Sequence, residues 1–251
     1  GAKAFRNTRI TGTIETPFNV PRYKGSSFPK GVSIVSTISP SPPPPPLLKE
    51  CAVAPSGTEP CWELADPEMT DIPKDFLKGN TELTGTLKLG AVVKKIGEYA
   101  FASTKLTGLD LSQAASLVSI GIYAFADTDI TGTLMIPAKV ETIGGYAFSY
   151  NKLTGLDLSG AASLVSIGDW AFRYTDIMGT LVIPANVETI GYAAFAYTKL
   201  TSLDLSQAAS LVSIGGSAFY YTDITGTIVT PFTVPTIGDY AFPRGVTIVK
   251  G

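Results

Sequence analysis

The chain has 251 residues, 45% of them hydrophobic, a net charge of −2 and no histidine. The missing histidine excludes Ser-His-Asp and Cys-His nucleophile systems, histidine zinc sites and an imidazole general base. The charge lacks the basic excess of a nucleic-acid binder, and no apolar run approaches the roughly 20 residues of a membrane span.

In chain order, residues Ala4–Val35 align without a gap to Ala218–Val249 at an offset of 214, with 19 of 32 positions identical. A folded array does not begin on its closing coil. Residues 1–36 are therefore expected to be the closing coil and end-cap of an upstream array, in a tandem protein whose module is about 214 residues long. Residues 37–50 read as a proline-rich linker, because Ser41 is followed by Pro42, Pro43, Pro44, Pro45 and Pro46. Such a run adopts an extended, semi-rigid polyproline II conformation. It resembles the extensin segments of secreted plant and algal proteins, which implies prolines that can be hydroxylated and glycosylated; a plain spacer is the alternative. No Asn-x-Ser/Thr sequon occurs.

Residues 51–80 are expected to form an N-terminal cap. Cys51 and Cys61 stand ten apart, and two cysteines without histidine cannot build a four-ligand zinc site. A local disulfide is the better reading, and it implies an oxidising compartment. The segment Asp71–Gly79 (DIPKDFLKG) predicts a short capping helix, with Asp71 at the N-cap, Pro73 in the first turn and Gly79 as the stop.

Residues 81–251 carry the repeat. The dipeptide Ala-Phe recurs with its Phe at Phe101, Phe125, Phe148, Phe172, Phe195, Phe219 and Phe242, at spacings of 24, 23, 24, 23, 24 and 23. Two unlike coils alternate, one reading LTGLDLSQAASLVSIGIYAF from Leu106 and the other ITGTLMIPAKVETIGGYAF from Ile130. This period predicts an α/β solenoid of leucine-rich repeats, with a parallel β-sheet on one face and few true helices. Leu109-Asp110-Leu111 reads as strand, whereas Leu117, Ile120, Ala124 and Phe125 have the spacing of a helical or 3₁₀ turn. Phe242-Pro243-Arg244-Gly245 breaks the pattern and is expected to close the stack.

The pattern LxSIGxxAFxxTxLTxLxL followed by IPxxVxTIGxxAF resembles the BspA-type leucine-rich repeats of bacterial and protist surface proteins. The resemblance covers residues 81–249 and a second piece near the N-terminus. It implies a cell-surface or secreted protein, adhesion in some members, and no shared catalytic residues. The family often has Cys three places after the Phe; here Thr104, Thr128, Asn151, Thr175, Thr198 and Thr222 stand there, so no role of that Cys carries over.

In a solenoid, positions one coil apart become neighbours. Four places after each Phe, Lys105, Asp129, Lys152, Asp176, Lys199 and Asp223 alternate in sign and are expected to form a structural charge ladder. An exposed strand column runs Lys88, Asp110, Met135, Asp157, Val182, Asp204 and Val229. Its aspartates lie two coils apart, too far for calcium, and a regular repeat offers no cleft for a glycosidase. Two places after the Phe, Tyr150, Tyr174, Tyr197 and Tyr221 form the candidate binding platform, unless the rings only pack on one another. Tyr123, Tyr146, Trp170 and Tyr192 add aromatics just before the Phe. Regular threonines near the strands suggest an ice-binding array, but Leu109, Leu156, Leu203 and Met178 interrupt it.

No catalytic, cofactor-binding or metal-binding residues are assigned. The expected function is a non-catalytic extracellular or cell-surface module that binds protein or glycan. The alternative is a structural unit of an extracellular fibre, its partners being copies of itself.

Overall fold

A computed structural model describes the backbone of residues 12–15 and 32–35, and residues 47–51, 60–230 and 236–250. The chain divides into two compact units, residues 1–47 and 48–251. In the first, Gly12–Glu15 and Val32–Val35 are parallel strands with Thr13 beside Ser33. The corresponding strands of the second unit, Thr227–Thr230 and Thr247–Lys250, are also parallel, with Thr227 beside Thr247. The linker residues Ser41 to Pro46 lie outside the described residues. Leu48–Glu50, read from sequence as the linker's end, is a strand antiparallel to Cys61–Leu64.

The second unit is a stack of coils held by two sets of strands. Eight two-residue strands form one parallel sheet, from Asp71–Ile72 to Thr236–Ile237. Their register places Ile72, Ile96, Ile120, Ile143, Ile167, Ile190, Ile214 and Ile237 side by side. The longer strands pair in twos, Thr131–Met135 with Lys152–Asp157 and Met178–Val182 with Lys199–Asp204. Thr84–Lys88 pairs likewise with Lys105–Asp110, and Cys61–Leu64 extends that sheet. Pairing in twos is the structural form of the alternation between unlike coils. The first strand of each of these pairs carries a glycine at positive φ, 78° at Gly132 and 81° at Gly179, where the register shifts by one residue.

The core is a continuous column. Phe101, Phe125, Phe148, Phe172, Phe195 and Phe219 are fully buried. Their rings stack at 5.2–5.4 Å with planes within 8° of parallel. Burying each phenylalanine contributes about 1.5–3 kcal/mol, which no isolated coil could obtain.

The helical component of the expected α/β class is corrected: among the described residues the solenoid contains strands and turns and no helix. Ile120 belongs to the strand Ser119–Ile120, not to a helical turn. Leu117, Ile120, Ala124 and Phe125 share their spacing because each points inward from a different corner of the coil. Alternate amides that a helix would use internally are spent between coils. Tyr123, Phe125 and Asp127 donate to the carbonyls of Gly145, Ala147 and Ser149 at 2.8–2.9 Å.

The capping helix over Asp71–Gly79 is corrected in the same way. Asp71–Ile72 is the outermost strand of the eight-stranded sheet, and the residues after it form a degenerate coil. Asp75, Leu77 and Gly79 donate to Glu98, Ala100 and Ala102 of the next coil. Phe76 meets Phe101 edge-on at 5.8 Å. Pro73 and the missing Ala-Phe pair disguise this coil as a helix start.

Candidate functional site

The turn around each core phenylalanine places two residues in the left-handed region, one two places before the Phe and one two places after it. Tyr99, Tyr123, Tyr146 and Trp170 have φ of 55–56°, and Tyr150, Tyr174, Tyr197 and Tyr221 have φ of 54–61°. At these positions Cα–Cβ turns outward, so each column builds a ladder of rings along the coil axis.

In the first ladder Tyr99, Tyr123, Tyr146 and Trp170 stack at 4.4–4.7 Å, and Tyr192 meets Trp170 edge-on at 5.1 Å. Lys78 Nζ lies 3.9 Å from the Tyr99 ring and covers its end. The second ladder is the sequence-predicted platform, and the structure brings all four tyrosines together. Tyr150 to Tyr174 is 4.8 Å, Tyr174 to Tyr197 is 4.5 Å and Tyr197 to Tyr221 is 5.0 Å, all stacked. Tyr150 and Tyr221 are exposed at 53% and 63%. The arrangement differs from a flat platform: neighbouring rings cover one another's faces, so ring edges and hydroxyls face solvent. Ser103 and Asp127 fill the same column in the first coils, with Ser103 Oγ donating to Asp127 Oδ2 at 3.2 Å.

Three participants fall outside the residues singled out from the sequence. Tyr99 heads the first ladder, and its place two residues before Phe101 is the signal that identifies it. Arg173 sets its guanidinium 4.5 Å from the Tyr174 ring and 5.5 Å from Tyr197. Tyr220 stands perpendicular to Tyr221 at 4.5 Å. Burial, followed by the neighbouring phenols, pushes the Tyr146 and Tyr220 hydroxyls above the usual tyrosine range.

The charge column forms ion pairs in three places. Lys105 and Lys152 both reach Asp129, at 3.4 and 2.7 Å, and Lys199 reaches Asp176 at 2.7 Å. No ion pair joins Lys152 to Asp176 or Lys199 to Asp223. The hydrogen bond from Lys152 holds the Asp129 carboxyl below the usual carboxylate range. The aspartates of the strand column have a local role: Asp110, Asp157 and Asp204 accept from the amides of Ser112, Ser159 and Ser206 at 2.8–2.9 Å. Hydrogen bonds from Ser159 and Ser206 lower the Asp157 and Asp204 carboxyls, the reverse of what a general acid needs.

The position three after the Phe is a buried polar column. Thr104, Thr175 and Thr222 donate to the carbonyls of Phe101, Phe172 and Phe219 at 2.9 Å, and Thr128 to Phe125 at 3.2 Å. Asn151 bridges two coils through Phe125 O at 2.7 Å and Phe148 O at 3.1 Å. Cys51 and Cys61 are joined as a disulfide, with Cα atoms 5.4 Å apart. Among the described residues no group of three or more acidic or cysteine side chains could hold a metal ion, and no helix is long and apolar enough to cross a membrane.

The family described as "BspA type Leucine rich repeat region" matches residues 66–161 and 118–248, in six copies. No curated protein matches in sequence. Among solved structures, the pneumococcal vaccine antigen PcpA is 17% identical, with a TM-score of 0.47, over 81% of this chain and 47% of that one. This chain thus spans about half the length of the antigen. A leucine-rich repeat protein from Bacteroides ovatus is 18% identical, with a TM-score of 0.34, over 76% of this chain and 66% of that one. A leucine rich cell surface protein from Faecalibacterium prausnitzii is 17% identical, with a TM-score of 0.38, over 81% of this chain and 76% of that one.

Proposed function

We propose a function from one premise: the chain belongs to the family of BspA-type leucine-rich repeat proteins. The reading is a non-catalytic module of an extracellular or cell-surface protein, which binds partner proteins or glycans through a repeated outward face. The Cys51–Cys61 disulfide supports an oxidising location.

One observation carries the binding reading. Ser103 and Asp127 hold the same left-handed turn as the tyrosines, at φ of 55°. The fold therefore does not require aromatic rings there. A left-handed φ costs an L-residue about 1–2 kcal/mol, and tyrosine has no advantage over aspartate or serine in meeting it. Four tyrosines in successive coils, with Arg173 against two of them, supply the residue types that dominate protein interfaces, on a rigid support.

The test is binding of the full chain to arrayed extracellular proteins and glycans, compared with a Tyr174→Ala/Tyr197→Ala double variant. Loss of about tenfold in affinity is expected. Equal binding by the double variant would remove the ladder as the interface.

A second reading, a structural unit of a fibre, rests on the matched register of the strand pairs at Thr13/Ser33 and Thr227/Thr247. Ordered filaments with an axial repeat of one module, seen by electron microscopy, would favour it over adhesion.

A further inference from the structure

The covered faces of the tyrosine ladder leave stacking capacity only at its two ends, and the ends differ. Beyond Tyr150 the column continues into Asp127, whose carboxylate already holds Ser103. Beyond Tyr221 it continues into Arg244, which is exposed and forms no ion pair among the described residues. Between Tyr221 and Arg244 opens a cleft of about 400 Å³, lined also by Tyr220, Tyr240, Phe242 and Pro243. That volume lies at the small end of the range for ligand sites.

The walls of this cleft have a defined chemistry. Tyr220 and Tyr221 meet at 88° and form a corner of two rings. Tyr240 is 77% exposed, and the residues before it in its column are Ala193 and Ser217, so no ladder ring covers its face. The coil is also the last among the described residues. One coil earlier, the amides of Ser217 and Phe219 donate to Asp239 and Ala241. The equivalent amides of Tyr240 and Phe242 have no following coil among the described residues. The cleft thus combines exposed tyrosine rings, phenol hydroxyls and a guanidinium that forms no ion pair among the described residues. This set is rich in donors and suits an anion carried on a ring with one apolar C–H face and several hydroxyls.

We propose that this cleft binds a uronic acid residue of an acidic polysaccharide, with its carboxylate on Arg244 and the C–H face of its pyranose on the free tyrosine rings. This deepens the glycan arm of the proposed function and rests on it. A protein partner would instead use the ladder edges.

Titration calorimetry of the full chain with tetragalacturonate, and with its methyl ester, tests the assignment. The acid is expected to bind about tenfold more tightly than the ester, and Arg244→Gln to remove that preference. Tyr240→Ala is expected to weaken both oligosaccharides severalfold, and Val212→Ala, an exposed position outside the cleft, to leave them unchanged. Both cleft positions are exposed, so melting temperatures should hold. Equal binding of acid and ester, or an unaffected Arg244→Gln variant, would overturn the cleft. So would absence of binding by the unaltered chain. In that case the protein reading still stands or falls on Tyr174→Ala/Tyr197→Ala against arrayed proteins, which separates the two failures.

Discussion

Gly168 lies so close to Gly145 of the preceding coil that a Cβ on it would stand 2.5 Å from the Gly145 amide nitrogen. The same approach recurs at Gly144, where a Cβ would stand 2.6 Å from Ile122 N. The Ser/Thr-Ile-Gly motif is therefore the point at which successive coils are drawn together backbone to backbone. Gly132 differs: a Cβ there meets nothing within 4 Å, and the constraint is its φ of +78°.

Gly168→Ala should accordingly destabilise by about 3 kcal/mol, through overpacking that rigid backbone cannot relieve. Gly132→Ala should cost about 1–2 kcal/mol, from the left-handed conformation alone. Denaturant midpoints of the two variants check the order; equal losses would refute the close approach.

The buried threonines provide an internal control. Thr175 donates to Phe172 O, whereas the buried Thr198 hydroxyl has no partner. Thr175→Val should lose about 1 kcal/mol, and Thr198→Val should be neutral or stabilising, since it removes an unsatisfied group. Thermal unfolding of both variants decides it.

Replacing Tyr174 and Tyr197 by alanine removes three ring stacks, each contributing about 0.5–1.5 kcal/mol. The small side chains of Ser103 and Asp127 occupy the same left-handed turn, at φ of 55°, and alanine adopts a left-handed φ of 50° at Ala193, so the backbone should persist. A lowered melting temperature with unchanged circular dichroism is expected. Loss of the folded signal would assign the ladder to the fold.

Asp129, Asp157 and Asp204 all have folded carboxyls held below their unfolded range. Each therefore contributes stability that is fully present above the unfolded value of about 3.9 and is lost as pH falls through the lower folded value. Urea midpoints should be level from pH 7 to 5 and fall below about pH 4. Asp129→Asn should lower the pH 7 midpoint and flatten the acid limb; an unchanged acid limb would contradict the shift.

The ten-residue separation of Cys51 and Cys61 predicts about 2–3 kcal/mol of stabilisation from the disulfide. Cys51→Ser/Cys61→Ser should show faster amide exchange in Cys61–Leu64 than in the strand Ser166–Ile167. Uniform exchange across both would show that the bond does not act locally.

Much of this arrangement is written in the chain. The Ala-Phe period was readable because an inward column tolerates one kind of residue per coil, and the six buried phenylalanines stand where that period places them. The Lys105, Asp129 and Lys152 cluster was readable from alternating charge, since neighbours one coil apart must not repel. The coil at Asp71–Gly79 was not, because it lacks the Ala-Phe pair and is defined only by its hydrogen bonds to Glu98, Ala100 and Ala102.

The sequence by itself determined the repeat, its length and the residues that line each column, because periodic burial leaves a periodic pattern. Only the tertiary structure decided what the columns present. Spacing does not encode φ, and the left-handed turns at Tyr174 and Tyr197 bring their rings face to face at 4.5 Å. That geometry turns a platform of faces into a ladder of edges and leaves ring faces uncovered at Tyr221 and Tyr240, in the last two described coils.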